Sequence, residues 1–162
     1  MSSTVYYLEM KSEDELCGSE VPPGLELREV KDAKVNARYY REVGGAWEWK
    51  DRLVWSAEEW ERWVSREELM TWVAFYQGKE AGYVEMEKQK CGSVEVIYFG
   101  LLPVMIGKGL GGGMLTLAVE RAWGIAGVER VWLHTCSEDH ANALANYERR
   151  GFRLFKTEVE SS

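Results

Sequence analysis

The chain has 162 residues, 46% apolar and 29% charged, enough for a core of its own and ordinary for a globular protein. Its net charge of −7 argues against a nucleic-acid binder, which depends on basic patches that neutralise phosphates. Cys17, Cys91 and Cys136 are odd in number and far apart, so they suggest neither a disulfide framework nor a zinc spacing.

No run approaches the ~18 apolar residues of a membrane span, and no basic segment leads into an apolar run at the start. The expectation is one domain over residues 1–162, cytoplasmic, without metal, membrane or nucleic-acid partner.

In chain order, residues 4–10 read as a strand, and residues 11–24, ending in Pro22-Pro23-Gly24, read as a loop. Residues 25–30 alternate apolar and charged side chains and are predicted as a second strand or strand extension. Val35, Tyr39, Tyr40 and Val43 recur at helical spacing over residues 32–43, and Gly44-Gly45 ends that helix. An aromatic, charged connector covers residues 46–55. Ser56-Ala57-Glu58-Glu59 is a capping box opening a second helix, with Trp60, Trp63 and Val64 as its apolar stripe. Six of the eight tryptophans fall between residues 47 and 72, a concentration suited to core packing under these helices or to a pocket wall. Residues 69–77 and 80–88 are predicted as a hairpin around Gly78-Lys79, and a turn over 88–92 leads to a third strand at 93–102.

That third strand opens the most informative stretch. Residues 94–102 are β-branched and aromatic, and Pro103 stops the ladder because it has no N–H to give. Five glycines follow within seven residues, Gly107 to Gly113, and then Leu110, Met114, Leu117, Ala118, Arg121 and Ala122 recur at helical spacing to about residue 126. Strand, glycine turn and helix start make an anion site, because unpaired N–H groups and the dipole attract charge and no Cβ keeps it away. A P-loop does not fit, since Leu102 stands where its first glycine belongs and Gly109 follows Lys108. Gly107-Lys108-Gly109-Leu110-Gly111-Gly112 matches the dinucleotide fingerprint literally, but the next predicted strand, 128–136, ends without the required acidic residue. A helix capped by Ser137 or Asp139 then runs through Arg150, Gly151 ends it, and residues 152–159 are a final strand. The order is that of an α+β fold.

The stretch Ile106-Gly107-Lys108-Gly109-Leu110-Gly111 resembles the coenzyme A-binding pattern Gln/Arg-x-x-Gly-x-Gly/Ala of the GCN5-related N-acetyltransferase (GNAT) superfamily, preceded as in that family by an apolar residue and proline, Leu102-Pro103. Residues 143–152 resemble its second stretch, Asn-x-x-Ala-x-x-x-Tyr-Glu-Lys-x-Gly-Phe, through Ala143, Tyr147, Glu148, Gly151 and Phe152, with Arg149 for lysine. Two departures stand out: Ile106 replaces the polar first position, and His140 replaces the asparagine. The resemblance implies a mixed, mostly antiparallel sheet of six or seven strands flanked by four helices. It also implies acetyl-CoA as cosubstrate, a small-molecule or peptide amine as acceptor, and frequent homodimerisation.

By the same resemblance, Leu101, Leu102, Ile106, Gly107, Lys108, Gly109, Leu110, Gly111, Gly112 and His140 are expected to hold the coenzyme. Trp47, Trp49, Asp51 and Arg52 are candidates for the acceptor wall, where a tryptophan beside a carboxylate could take an ammonium. Acetyl transfer to an amine requires loss of the ammonium proton, donors for the developing oxyanion, an acid for the leaving thiolate, and proximity. Glu95 is the expected base and Tyr147 the expected acid. The oxyanion donor is expected as a backbone N–H near residues 99–101, with Gly100 marking a bulge that splays the strands. His134, on a strand with no partner visible in sequence, reads as structural. Ile106 and His140 keep a non-catalytic acyl-CoA-binding or regulatory module of the same fold as the alternative.

Overall fold

Alternating and continuous apolar runs become strands, and the stretches with helical spacing become helices, over the described residues 2–45, 49–137 and 142–161 of a computed structural model. The strands are β1 (Ser2–Met10), β2 (Leu25–Val30), β3 (Leu69–Tyr76), β4 (Lys79–Lys88), β5 (Ser93–Leu101), β6 (Arg130–Cys136) and β7 (Arg153–Ser161). The helices are α1 (Ala33–Gly44), α2 (Ala57–Val64), α3 (Gly111–Trp123) and α4 (Ala143–Arg149). One sheet runs in the order β2-β3-β4-β5-β6-β1-β7, antiparallel throughout except for the parallel pair β5–β6. This is the expected α+β architecture. β1 and β2, adjacent in sequence, lie far apart, with β1 wedged between β6 and β7.

The two sheet faces follow from strand alternation. Val84 and Met86 of β4, Val94 and Val96 of β5, Val131 and Leu133 of β6, and Leu8 and Met10 of β1 share one buried cluster with Met114, Leu115, Ala118 and Val119 of α3. The opposite face is covered by α1 and α2, whose Tyr39, Tyr40, Val43, Trp60 and Val64 pack on Leu69, Val73, Tyr83, Ile97 and Tyr98. Among the described residues no helix is long and apolar enough to cross a membrane.

The capping box forms as read: the Ser56 hydroxyl accepts from the Glu59 N–H at 3.2 Å and Glu59 accepts from the Ser56 N–H at 3.0 Å. The hairpin turn falls one residue earlier than expected, on Gln77 (φ 53°) and Gly78 (φ 81°). A two-residue turn of this hand needs positive φ at both positions, and Lys79 is already paired with Tyr76. Ser137 does not cap α4; its hydroxyl accepts from the Thr4 N–H at 2.9 Å, and the helix begins at Ala143 behind Asn142. Asp139, the other candidate cap, lies outside the described residues.

The bulge also moves. Gly100 pairs regularly with Tyr83, and the extra residue is Ile97, between the pairs Met86–Val96 and Glu85–Tyr98. Gly100 answers a different need, the close approach of α1: a Cβ there would lie 2.5 Å from Val43 Cγ1. Gly100→Ala is expected to cost about 1–3 kcal/mol through overpacking. Denaturant unfolding should show a lower midpoint at unchanged slope.

Candidate active site

The β5–β6 ladder runs from Ser93–Arg130 to Val96–Leu133 and goes no further. At Ile97 the bulge turns β5 away, while β4 stays paired to it as far as Leu101. The parallel strands therefore fork. A cleft of about 990 Å³ opens between them, lined by residues 96–101 of β5 on one side and by His134 and Cys136 of β6 on the other. Backbone groups of β5 beyond Val96 have no ladder partner on the β6 side, so the fork supplies polar main chain to whatever enters.

On the α3 side, Leu101, Ile106, Gly107, Gly109, Leu110, Gly111 and Gly112 line this cleft. Leu102 and Lys108 are not among the lining residues. The Leu102 side chain packs towards Tyr39 and Val43 while its N–H donates to the Ala81 carbonyl at 2.8 Å, and Lys108 is exposed. His140 lies outside the described residues. The glycines differ in what demands them. Gly113 is packed under the N-terminal loop, where a Cβ would meet Pro22 Cδ at 2.7 Å. A Cβ at Gly111 would touch only Asn146 Nδ2, at 3.8 Å, so the fold leaves that space to the cleft.

Tyr147 reaches the cleft from α4. It is 8% exposed, with its ring 6.3 Å from Phe99 and 6.2 Å from Phe152. Arg149 and Arg150 line the same side. Arg150 Nη1 would be 2.9 Å from a Cβ on Gly112, and its Nε is buried without a hydrogen-bond partner among the described residues. Sequence reading placed Arg149 in the second stretch but passed over Arg150, because nothing along the chain puts it beside the glycine turn.

On the α1–α2 side, Trp49 and Asp51 line the cleft and Lys50 joins them, whereas Trp47 lies outside the described residues. Arg52 does not reach it. It is 6% exposed and holds Glu85, which is fully buried, through Nη1 to Oε1 at 3.0 Å and Nη2 to Oε2 at 2.7 Å. Burial works against the guanidinium charge, and the hydrogen bonds and charge of Glu85 more than restore it. The Arg52 N–H donates to the Tyr40 hydroxyl at 3.0 Å, so this buried pair pins the loop that carries Trp49 and Asp51. Tyr98 also lines the cleft; burial pushes its phenol up, so at neutral pH it can donate a proton in a hydrogen bond but not act as a base.

Glu95 lies one residue before the end of the ladder and is not among the lining residues. Its carboxylate accepts from Gln89 Nε2 at 3.0 Å and stands 3.5 Å from His134 Nδ1. The cleft residue at that point is His134, whose place in the fold nothing along the chain reveals.

The sequence profile of the Acetyltransferase (GNAT) family matches residues 33–152. No protein with a curated description matches the chain. Among solved structures, it is similar to a GCN5-related N-acetyltransferase from Sphaerobacter thermophilus (TM-score 0.75, 18% identity, covering 97% of this chain and 50% of that one). It is also similar to one from Kribbella flavida (TM-score 0.70, 19% identity, covering 96% and 56%). A third is an aminoglycoside acetyltransferase from an uncultured soil metagenomic sample, in complex with sisomicin (TM-score 0.58, 15% identity, covering 75% and 82%). The chain thus spans about half the length of the first two, and at these identities they share its fold. A forked mixed sheet with a glycine turn at the head of α3, and a family profile over three quarters of the chain, lead to one conclusion: the chain belongs to the Acetyltransferase (GNAT) family.

Proposed function

We propose that the chain is an acetyl-CoA-dependent N-acetyltransferase that moves the acetyl group to a primary amine by direct attack, with both reactants held in the cleft. The observation that carries this reading is the fork itself. It joins a glycine turn with Arg149 and Arg150 on one side of the sheet to Trp49 and Asp51 on the other.

The residues present fit the coenzyme. Gly107 (φ 88°) and Gly109 (φ 76°) shape an open turn, Gly111 leaves room, and Arg150, which lines the cleft with Nη1 beside Gly112, is a cation placed for a pyrophosphate. It makes up for Ile106, which brings no polar group. When bound, acetyl-CoA supplies an activated acetyl group as a thioester. The chain's own residues do the rest. Arg150 and the N–H groups at the head of α3 hold the phosphates, and main-chain N–H groups of β5 past the fork stabilise charge on the acetyl oxygen. Tyr147 gives a proton to the leaving sulfur. Trp49 and Asp51 receive the ammonium of the acceptor.

Calorimetric titration with acetyl-CoA tests the site. Micromolar binding is expected for the wild type and at least about a 100-fold loss for Gly111→Leu, whose side chain fills the cleft without displacing the fold. Thiol release is then followed with sisomicin, spermidine, glycinamide and a lysine-containing peptide. Absence of acetyl-CoA binding by the wild-type protein would overturn the reading. Binding without turnover of any amine would favour the non-catalytic module.

A further inference from the structure

We propose that His134 is the general base of the transfer and that Glu95, behind it, is the positioning residue that orients its ring. The inference deepens the transferase reading and rests on it.

The position of His134 is set by the sheet. Leu133 makes the last ladder pair with Val96, so His134 is the first residue of β6 beyond the point where the strands part. Alternation puts Leu133 and Thr135 into the face under α3, where both are buried, and turns His134 to the opposite face, where its side chain is 45% exposed in the cleft. That is the face of Trp49, Asp51 and Tyr98, the acceptor side. Tyr147 belongs to the α3 cluster and enters from the other face. Base and acid therefore stand on opposite sides of one fork, as a transfer through the sheet requires.

Glu95 lies on the acceptor face too, between the buried Val94 and Val96, and its side chain is only 12% exposed. It is not among the residues that line the cleft. Its Oε2 is 3.5 Å from His134 Nδ1 and its Oε1 takes the Gln89 hydrogen bond. Gln89 is fixed in turn, donating also to Glu87 at 2.8 Å and accepting from Trp132 Nε1 at 3.0 Å. A carboxylate oxygen facing Nδ1 at that separation favours the tautomer protonated there, which leaves the Nε2 lone pair to act as base. Described groups packed around the imidazole include Tyr7 of β1, with ring centroids 5.6 Å apart, and Trp132 of β6 at 6.4 Å. Lys156 of β7 sits 5.0 Å over the Tyr7 ring, Cys136 lies two residues along β6, and Lys50 and Asp51 share the cleft from the α1–α2 loop.

The step balances. His134 Nε2 takes one proton from the ammonium, leaving a neutral amine. The amine lone pair forms the carbon–nitrogen bond while the carbon–sulfur pair leaves on sulfur, to which Tyr147 gives its proton. The second amine proton restores the phenol through water, and His134 returns its own proton to solvent.

The chain has two histidines, so ring ¹⁵N spectra of the wild type and His134→Gln assign His134 directly. The wild-type ring is expected to be protonated at Nδ1 when neutral and to titrate above its midpoint in Glu95→Gln. Equal midpoints, or a neutral ring protonated at Nε2, would overturn the role of Glu95. With the amine accepted in the screen, His134→Gln should lower kcat/KM about 100-fold at neutral pH with acetyl-CoA affinity unchanged. The deficit should close as pH rises towards the pKa of the amine, which then needs no base. A loss that is absent or independent of pH would overturn His134 as base, and His134→Asn repeats the test if glutamine disturbs the fold. Failure of the wild type to bind acetyl-CoA sinks the transferase reading; normal turnover by His134→Gln sinks this proposal alone.

Discussion

Glu85→Ala is expected to destabilise the protein by about 3–5 kcal/mol, because it leaves the Arg52 guanidinium charged and buried without its partner. For a chain of this size that corresponds to a fall in melting temperature of about 6–20 °C. Glu85 serves three donors at once: Arg52, Asn36 Nδ2 at 3.0 Å and Trp63 Nε1 at 3.0 Å. All three would lose an acceptor in the interior. The guanidinium is further enclosed by the rings of Trp55 at 4.6 Å, Tyr98 at 4.6 Å and Trp63 at 4.8 Å, which favour the cation but cannot replace a carboxylate. Removing both charges separates the cost of a widowed ion from the net worth of the pair. Arg52→Met/Glu85→Leu is expected to recover most of the lost stability in thermal unfolding, since apolar groups of similar volume often match a buried ion pair. A double variant as unstable as Glu85→Ala would show that the pair itself holds the fold.

Tyr147→Phe is expected to lower kcat by about 100- to 1000-fold and leave acetyl-CoA affinity within about twofold, the pattern of a lost proton donor. The substitution keeps the ring that packs between Phe99 and Phe152, so the wall of the cleft stays intact. Stopped-time thiol release with the accepted amine, beside calorimetry with acetyl-CoA, separates the two parameters. Unchanged turnover would remove Tyr147 from the chemistry and leave it as a core residue of α4. Set beside His134→Gln, the two variants differ in kind: the His134 deficit closes at high pH, whereas the Tyr147 deficit stays, because raising pH supplies neutral amine but no acid.

Much of this was legible along the chain. The Ser56 capping box, the end of β5 before Pro103 and the glycine turn are local, set by residues within a turn or two of one another, and they formed as read; α3 formed too but ends at Trp123, capped by Gly124, short of the expected residue 126. Leu101, Ile106, five of the turn's residues from Gly107 to Gly112, and Tyr147, singled out through those short stretches, all line the cleft. The misplacements share a cause. Gly100 looked like a bulge because a glycine in a strand has several explanations, and the approach of Val43 that settles it comes from a helix 57 positions earlier. Arg52 looked like an acceptor contact beside Asp51, but its partner Glu85 sits on β4, behind the wall.

The sequence by itself determined most elements, the capping box of α2, the α+β class and the glycine-rich turn, since propensity, periodicity and backbone freedom act over a few residues. Only the tertiary structure decided that β1 slots between β6 and β7, that the β5–β6 ladder ends at Val96–Leu133, and that Glu95 stands behind His134 rather than in the cleft. Strand order and register bring together residues 39 positions apart in the chain, as with Glu95 and His134. That pairing is a product of how the whole sheet packs, which no local pattern encodes.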